Sequence, residues 1–309
     1  MAETGRNKMP VQSSGIFVVD KPPGVSSARL VAAVKKALGV RKIGHAGTLD
    51  PMATGVMVCC VNQATKLARF FLGGEKRYEA TLFLGAETDT QDATGSVTAT
   101  CEVPVLSREE IGAALAGFAG DIEQVPPVYS ALKHRGVRLY RLARQGRPVQ
   151  KPPRKVHISS IRLLGVDLPQ VHFEVVCSAG TYIRTLCADV GKHLGCGGHM
   201  KALRRTAASG FEIEEGVSLE ALEQLAGAGR AFERMIPMGE ALRGFPEAVA
   251  EKDAVVTIGH GRPLLKQALG PVSGAQKKYI KVVDRNHCLI AILSTCDGKS
   301  TYDYESVFI

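Results

Sequence analysis

The sequence predicts an α+β chain: a large mixed α/β unit with helices flanking a mixed sheet, followed by a small all-β unit. Strand-length apolar runs alternate irregularly with helical patterns up to about residue 244, which argues against strict βαβ winding. After Pro246 come short runs rich in valine and isoleucine, separated by glycine and asparagine turns. We expect a disordered tail over residues 1–14, the large domain over 15–244 and the small domain over 245–309.

Hydrophobic periodicity predicts the elements of the large unit. Residues 16–19 are apolar throughout and predict a buried strand. A helix is expected from about Ser27 to Gly39, with apolar residues on one face at Leu30, Val31, Val34 and Leu38. Further strands are predicted at 56–61, 78–84, 156–164 and 171–177, and further helices at 63–72, 107–118 and 182–194.

The small unit is predicted from three β-rich runs, at residues 255–258, 279–283 and 288–293. Beyond Pro246 there are eight Lys or Arg against seven acids. This near balance indicates that the small unit is not the main surface for a polyanion.

Length and composition limit the class of protein. The 309 residues are 45% hydrophobic, enough for a packed core. The chain contains no apolar run of the roughly 18 residues that span a membrane, and residues 1–14 lack the apolar stretch of a signal peptide. We therefore expect a cytoplasmic protein without membrane attachment, whose eight cysteines are reduced and mostly buried.

The positive charge of the chain is concentrated in one segment. From Gln124 to Val166 there are ten Lys or Arg and no acid, so the rest of the chain holds 29 basic and 30 acidic residues. A shorter run would be read as a solvated loop. An acid-free segment of this length indicates a polyanionic partner, and nucleic acid fits best.

Within this segment, arginines recur every third residue, and Gly136 and Gly146 allow a helix of only two or three turns between them. Tyrosines interleave with the basic residues, which suits phosphate contacts with some stacking. The residues expected to contact the nucleic-acid backbone are Lys133, Arg135, Arg138, Arg141 and Arg144.

One loop concentrates unusual residue types. From Gly44 to Gly55 the chain reads GHAGTLDPMATG, in which Asp50 stands among glycines with His45 close by. Glycine permits backbone angles closed to other residues, and Pro51 disfavours a helical Asp50, so the run predicts a loop that displays the carboxylate. Read alone, the loop also fits an Asp-Pro turn whose carboxylate bonds its own backbone.

Six motifs follow one another along the chain: GHAGTLDPMATGV, KRYEATLFLG, TDTQDATG, QVPPVYSALKHRGVRLYRLARQG, GTYIRTL and LRR. In this order they resemble the TruB family of tRNA pseudouridine synthases over roughly residues 15–210. The segment after Pro246 resembles, less specifically, a small PUA-type RNA-binding domain. The resemblance implies that the large domain is catalytic. The implied reaction breaks the N-glycosidic bond of a uridine in RNA, rotates the base and rejoins it through C5.

The resemblance also implies roles for single residues. Asp50 matches the catalytic aspartate, which can attack an electrophilic carbon of the nucleoside or stabilise a developing cation. Arg184 matches the arginine that pairs with this carboxylate and favours its ionised form. Tyr78 matches a catalytic tyrosine placed against the target base, where the phenol can also carry a proton. The implied substrate-binding residues are His45, Tyr78, Tyr182, Leu203 and Lys21, although a structural role for the last is equally open.

The implied substrate is the T-arm of tRNA, with uridine 55 as the target. A base must leave the stack to enter such a pocket, and a loop allows this. The resemblance fits the unguided bacterial type, without an obligate protein partner or guide RNA, because the chain ends without a long basic tail. The alternative is an RNA-binding or tRNA-folding protein without catalysis, which would not need the aspartate, the arginine and the tyrosine together.

No cofactor and no metal are expected. Asp89, Asp92 and Gly95 suggest a calcium loop, but their spacing is wrong and position twelve would be a threonine. Cys196 and His199 resemble half of a zinc site, with no second pair at a suitable spacing.

Overall fold

The computed structural model describes four stretches of the chain: residues 13–269, 272, 278–295 and 298–309. Of the predicted N-terminal tail, only Ser13 and Ser14 are described, and the rest of that prediction lies outside the described residues. The carbonyl of Ser13 accepts a hydrogen bond from the side chain of Asn62, and the hydroxyl of Ser14 accepts one from the backbone of Gln63.

The helices flank the sheets, as the sequence predicts. In the described part of the chain they are α1 (Ser27–Leu38), α2 (Ala68–Leu72), α3 (Arg108–Ala116), α4 (Leu139–Arg144), α5 (Ile183–His193), α6 (Leu219–Gly227), α7 (Met238–Ala241) and α8 (Lys252–Gly259). Short 3₁₀ turns are found at Asn62–Leu67, Ile213–Glu215, Ala231–Arg234 and Lys266–Leu269. None of the described helices has the length and apolar character needed to cross a bilayer.

The strands of the large unit are β1 (Gly15–Lys21), β2 (Ile43–His45), β3 (Thr54–Val61), β4 (Lys76–Leu84), β5 (Ala86–Thr88), β6 (Val97–Thr100), β7 (Gly120–Gln124), β8 (Lys133–His134), β9 (Val137–Arg138), β10 (Arg154–Asp167), β11 (Gln170–Cys177), β12 (Gly198–Ala208), β13 (Phe211–Glu212), β14 (Val217–Ser218) and β15 (Ile236–Pro237). The strands of the small unit are β16 (Glu247–Val249), β17 (Tyr279–Val283), β18 (Leu289–Ser294) and β19 (Asp303–Val307).

A large mixed sheet forms the centre of the first unit. Its main path runs β14-β1-β3-β12-β4-β11-β10-β7, with β2, β13 and β15 paired onto it. The pairs β1 with β14 and β3 with β12 are parallel, and the other pairs are antiparallel. The predicted mixed sheet with flanking helices is therefore confirmed.

Helix α1 shows how local signals fix an element. Its N-cap is Ser26, whose hydroxyl accepts a hydrogen bond from the backbone of Arg29, and it ends at Gly39 in the left-handed conformation. The predicted apolar face is largely buried, through Leu30, Val34 and Leu38. At the start of α3, the predicted capping box between Ser107 and Glu110 is also present.

The central strand β12 was not expected from the sequence. Its register shifts between Met200 and Ala202 and again between Arg205 and Ala207. These two bulges break the alternation of buried and exposed side chains that identifies a strand in a sequence. A segment that lies between β3 and β4 therefore carries no regular strand pattern.

The small unit, predicted to be all-β, is built on a four-stranded sheet in the order β16-β17-β18-β19 and also contains helix α8. The predicted strand at residues 255–258 is wrong, because these residues belong to helix α8. Ala254 and Ile258, four residues apart, are both buried, and α8 packs against β18. Tertiary packing has overridden the β propensity of a valine-rich run.

The two units share an apolar core across their contact. It joins side chains of the large unit to side chains of the small one, including Val56, Val58 and Phe71 from the first and Val283, Ile292 and Phe308 from the second. Polar contacts add to it: Arg69 forms an ion pair with Glu305 at 2.9 Å, and Nζ of Lys66 donates to the carbonyl of Val307 at 2.7 Å. The small unit is therefore part of the support of β3. The assignment of separate functions to the two units stays a prediction.

The cysteines in the described residues are unpaired thiols. Cys101 and Cys288 are exposed, and the buried ones are Cys59, Cys60, Cys177, Cys187 and Cys196. Burial raises the pKa of Cys177 to about 11, so this thiol is protonated at neutral pH. The prediction of reduced, mostly buried cysteines is confirmed for the described ones.

Loss of a side chain from the shared core should loosen both units. Phe308→Ala removes a ring that is 6% exposed and should lower the free energy of unfolding by about 3 kcal/mol, as measured by urea denaturation. Hydrogen exchange of β3 should also become faster. The matched control is Leu264→Ala, in the separate core of the small unit, which should leave exchange of β3 unchanged. Unchanged exchange of β3 in Phe308→Ala would contradict the shared core.

Candidate active site

Asp50 lies in the irregular loop between β2 and β3, and its side chain is 35% exposed. The loop turns back at this point, with the backbone N–H of Ala53 donating to the Asp50 carbonyl at 3.1 Å. Among the described residues, no backbone N–H donates to the carboxylate, which instead faces Arg184. The loop therefore displays the carboxylate and does not use it as a turn cap.

Two side chains from the preceding elements hold the Asp50 loop. Nζ of Lys21, at the end of β1, donates to the carbonyls of Pro51 at 3.0 Å and Ala53 at 2.6 Å. At the start of α1, the hydroxyl of Ser27 exchanges two hydrogen bonds with the backbone of Leu49, at 2.8 and 2.9 Å. Burial lowers the pKa of Lys21 to about 8 although the charge of Asp50 opposes this shift, so the amine is still largely charged at neutral pH.

Arg205 also holds the Asp50 loop, through hydrogen bonds to its backbone carbonyls. It lies on β12 and is 1% exposed. Its guanidinium donates to the carbonyls of Val56 at 2.7 Å, Gly47 at 3.1 Å and Thr48 at 3.4 Å. Gly55, with φ of 102°, lets the loop pass close to this strand, because a Cβ there would lie 2.1 Å from the Arg205 carbonyl.

Arg184 reaches Asp50 from the first turn of α5, and its side chain is 5% exposed. Nε lies 2.9 Å from Oδ2 of Asp50, in an ion pair whose N–H is not aligned as a hydrogen bond. Nη1 donates to the carbonyl of Thr90 at 2.8 Å, and Nη2 donates to that of Tyr129 at 2.9 Å. The structure thus brings together the two residues whose pairing the resemblance implied.

A second carboxylate faces Arg184 from the other side. Asp92, with a side chain 6% exposed, has Oδ2 3.5 Å from Nη1 of Arg184. Its Oδ1 accepts from the hydroxyl of Thr90 at 2.8 Å and from the backbone of Thr94 at 3.0 Å. The loop that resembled a calcium site therefore aims its buried carboxylate at an arginine. In the part of the chain described, no group of His, Cys, Asp and Glu is placed to hold a metal ion.

Tyr78 is buried in β4, opposite Arg205 of β12 in the register of the sheet. Burial raises the pKa of its phenol, the Arg205 guanidinium opposes the shift, and the charge of Asp50 adds to it. The phenol is therefore protonated at neutral pH, and it interacts electrostatically with Arg205 and Asp50.

His45 ends β2 and is half-buried, and its Nδ1 has no hydrogen-bond partner among the described residues. Burial lowers its pKa, an interaction with the backbone of Gly47 opposes this shift, and the charges of Arg205 and Arg138 add to it. The imidazole is therefore neutral at physiological pH. The influence of Arg138 places part of the basic segment near His45.

Tyr182 and Leu203, the other two residues expected to bind the uridine, lie at the start of α5 and on β12. Tyr182 is the N-cap residue of α5, two positions before Arg184, and its ring lies under the guanidinium of Arg154 at 4.8 Å. Leu203 lies on β12 and is 8% exposed. Its carbonyl accepts a hydrogen bond from the hydroxyl of Thr54, at the start of β3, at 3.4 Å.

Residues 125–153 form what we call the basic arm, the excursion between β7 and β10. It contains the β8–β9 hairpin, which turns at Arg135 and Gly136 with φ of 47° and 84°, and then α4. The predicted short helix between Gly136 and Gly146 is confirmed by α4. The five residues predicted to contact RNA are all exposed, and in the described structure none of them forms an ion pair with a carboxylate: Lys133, Arg135, Arg138, Arg141 and Arg144.

Sequence reasoning missed four residues that hold the site: Asp92, Arg205, Gln124 and Arg154. Asp92 and Arg205 belong to the motifs TDTQDATG and LRR, so their position in these motifs was the available signal. Gln124 and Arg154 flank the basic arm at the ends of β7 and β10, and only the strand pairing reveals that they lie side by side.

Comparison with known proteins gives a consistent result. Residues 35–183 match the family described as TruB family pseudouridylate synthase (N terminal domain), and residues 184–243 match the tRNA pseudouridylate synthase B C-terminal domain. The chain is 43% identical over 250 residues to the tRNA pseudouridine synthase B of Syntrophotalea carbinolica, which covers 81% of each chain. It is 41% identical over 302 residues to that of Pelotomaculum thermopropionicum, covering 96% of this chain and 95% of the relative.

Solved structures agree in fold. A chain from a Cbf5-Nop10-Gar1 complex superposes with a TM-score of 0.77 at 27% identity, covering 98% of this chain and 88% of that one. A chain from an H/ACA RNP bound to a substrate RNA containing 2′-deoxyuridine gives 0.74 at 26% identity, covering 96% and 85%. Together with the sequence relatives, this shows that the chain is an isomerase that belongs to the TruB family of tRNA pseudouridine synthases.

Proposed function

We propose that this enzyme converts uridine 55 in the T-loop of tRNA to pseudouridine, with Asp50 as the essential carboxylate. The observation that carries the proposal is the pair of Asp50 and Arg184. The arginine is buried and fixed by backbone carbonyls, while the aspartate remains accessible at the surface of its loop. A fixed cation beside an accessible carboxylate holds that carboxylate in place for the role of a nucleophile or a charge stabiliser.

The reaction is an isomerisation and needs no cofactor. The bond from N1 of the base to C1′ breaks, a bond from C5 to C1′ forms, and the proton on C5 is lost as N1 gains one. Asp50 acts while the base is detached, either by attack on the nucleoside or by stabilising positive charge on the sugar. In both cases Arg184 supplies a counter-charge that is already in place.

The walls of the site suit a uracil ring. Tyr78 offers a ring for stacking, and its protonated phenol can donate a hydrogen bond or a proton to the base. Tyr182 and Leu203 add apolar surface. His45, neutral and only half-buried, is suited to a contact with RNA beside the extruded base. Lys21 forms the floor by fixing the carbonyls on either side of Met52.

The basic arm supplies the grip on RNA in this proposal. Its five exposed cations are free of protein carboxylates among the described residues, so they are available to phosphates. The curated relatives named tRNA pseudouridine synthase B support tRNA as the substrate. Their identity of 41–43% exceeds the 26–27% of the chains from Cbf5 and H/ACA assemblies, which favours action without a guide RNA or an obligate protein partner. The small unit adds contact area for tRNA.

The first test is conversion of an unmodified tRNA transcript, followed by mapping of pseudouridine. The wild-type enzyme should modify position 55, and Asp50→Asn should abolish the reaction with tRNA affinity changed by no more than a few-fold, because the carboxylate acts in the transition state. Conversion at another position would contradict the proposed site. Wild-type turnover by Asp50→Asn would contradict the proposed role of the carboxylate, and binding without conversion by the wild type would favour an RNA-folding protein.

The second test concerns the contribution of Asp92 to the position of Arg184. Asp92→Asn removes a charge that fixes the guanidinium, and we expect kcat to fall about 10- to 100-fold, or roughly 1.4 to 2.7 kcal/mol of transition-state stabilisation. The matched control is Asp89→Asn in the same loop, whose carboxylate accepts a hydrogen bond from the backbone of Ser96 and makes no contact with Arg184 in the described structure. Equal losses in the two variants would show that loop folding, and not the charge of Asp92, is responsible.

The third test concerns the basic arm. Replacement of Arg138, Arg141 and Arg144 by glutamine should weaken binding of all tRNAs alike, because phosphate contacts carry no sequence information. The slope of log K against log salt should become shallower by about 2 to 3, from the loss of three phosphate contacts. Filter binding between low and moderate salt measures this slope. An unchanged slope would show that these arginines do not contact the backbone.

A further inference from the structure

The two residues at which the basic arm leaves and re-enters the sheet lie opposite each other. Gln124 is the last residue of β7 and Arg154 is the first residue of β10, and the two are partners in the antiparallel register. Both side chains are directed to the turn that precedes α5, between Ser178 and Tyr182. We call this pair of residues the arm clamp.

Gln124 fixes the backbone of Tyr182. Its side chain is fully buried, at 0% exposure. Nε2 donates to the Tyr182 carbonyl at 3.0 Å, and Oε1 accepts from the Tyr182 N–H at 2.7 Å. A primary amide that pairs with both the N–H and the carbonyl of one residue sets the position and orientation of that residue's backbone. Because Tyr182 is the N-cap residue of α5, the same contact sets the start of the helix that carries Arg184.

Arg154 fixes the ring of Tyr182. Its guanidinium lies over that ring at 4.8 Å, and Nη2 donates to the carbonyl of Gly180. The Arg154 Nε is buried without a hydrogen-bond partner among the described residues. Gly180, with φ of 91°, leaves just enough room, because a Cβ there would lie 3.2 Å from Nη2. The cation is therefore engaged with the turn, unlike the exposed arginines of the arm.

We propose that Gln124 and Arg154 are positioning residues for pseudouridine formation, which hold Tyr182 and the start of α5 in the geometry that the detached base requires. This inference rests on the proposed role of Tyr182 in the uridine pocket. The arm clamp contributes to the rate of the chemical step, whereas the exposed arginines of the arm contribute to tRNA affinity. A residue that holds a pocket wall acts on the bound complex, so its loss lowers kcat and leaves Kd nearly unchanged.

The competing hypothesis is that Arg154 contacts a phosphate, as its place in the acid-free segment suggests. Lysine replaces arginine well as a point charge for phosphate, but it lacks the planar fork that stacks on a ring and reaches a carbonyl at the same time. Arg154→Lys therefore separates the two readings. The positioning role predicts that Arg154→Lys and Arg154→Gln are similarly impaired, and the phosphate role predicts that Arg154→Lys restores activity.

The kinetic experiment measures single-turnover conversion of a tRNA transcript and tRNA affinity for each variant. We expect Arg154→Gln and Arg154→Lys to react about 10-fold more slowly at saturating enzyme, with Kd and its salt dependence unchanged. In a Tyr182→Ala background, Arg154→Gln should add no further loss, because it acts through that ring. A loss that appears in Kd with a shallower salt slope, or a full additional loss in the Tyr182→Ala background, would overturn the proposal.

A second measurement does not depend on activity. Hydrogen exchange of the peptide around residues 178–186 should become faster in Arg154→Gln and in Gln124→Met, which keeps the length of the side chain but loses the paired amide. Arg230→Gln serves as the control, since this exposed arginine pairs with Glu233. Unchanged exchange in both clamp variants would overturn the proposal even if conversion is slow. Absence of pseudouridine with the wild-type enzyme would instead refute the proposed function, while the exchange result would still report on the clamp.

Discussion

The need to compensate the buried guanidinium of Arg184 is the constraint on which this site depends. A buried cation that lacks partners is strongly destabilising, so the fold must supply compensating groups. It supplies them from the Asp92 loop, the start of the basic arm and Asp50. Of the two carboxylates, Asp92 is almost fully buried, whereas Asp50 keeps one side open to solvent. The electrostatic requirement of the arginine therefore holds an accessible carboxylate in one place without enclosing it.

The same logic explains two further buried cations beside the site, Lys21 and Arg205. An irregular loop leaves carbonyl groups without the partners that a helix or a sheet provides, and buried carbonyls must be satisfied. Lys21 and Arg205 satisfy them on opposite sides of the Asp50 loop. The cost of burial is visible in Lys21, whose pKa falls to about 8. These side chains stabilise the loop and also surround the carboxylate with positive charge.

The sequence was sufficient where a local signal is strong. The caps of α1 and α3, the strands with regular alternation and the shaped loop around Asp50 all depend on residues close together in the chain. Strand β12 was not predicted because its two bulges interrupt the alternation of buried and exposed side chains. The prediction of a strand at α8 was wrong because packing, and not composition, decides the conformation of these residues. From the sequence, Asp92 was considered only as part of a rejected calcium loop, and Arg154 only as one charge of the acid-free segment. Their significance depends on partners 92 and 28 positions away, Arg184 and Tyr182, that only the folded sheet brings near.

The two ends of the basic arm lie side by side in the sheet, and this has a consequence for how the arm can evolve. The arm leaves and re-enters the sheet at neighbouring positions, and Gln150 closes its base by donating to the carbonyl of Pro126 at 3.1 Å. An excursion whose ends already meet can gain or lose residues at its tip at little entropic cost, and without shifting the register of the strands. Its first residues are held because the Tyr129 carbonyl accepts a hydrogen bond from Arg184, and α4 is anchored through Leu139, which is fully buried. The tip of the hairpin can therefore diverge to suit different RNA shapes, while the reaction centre stays as it is.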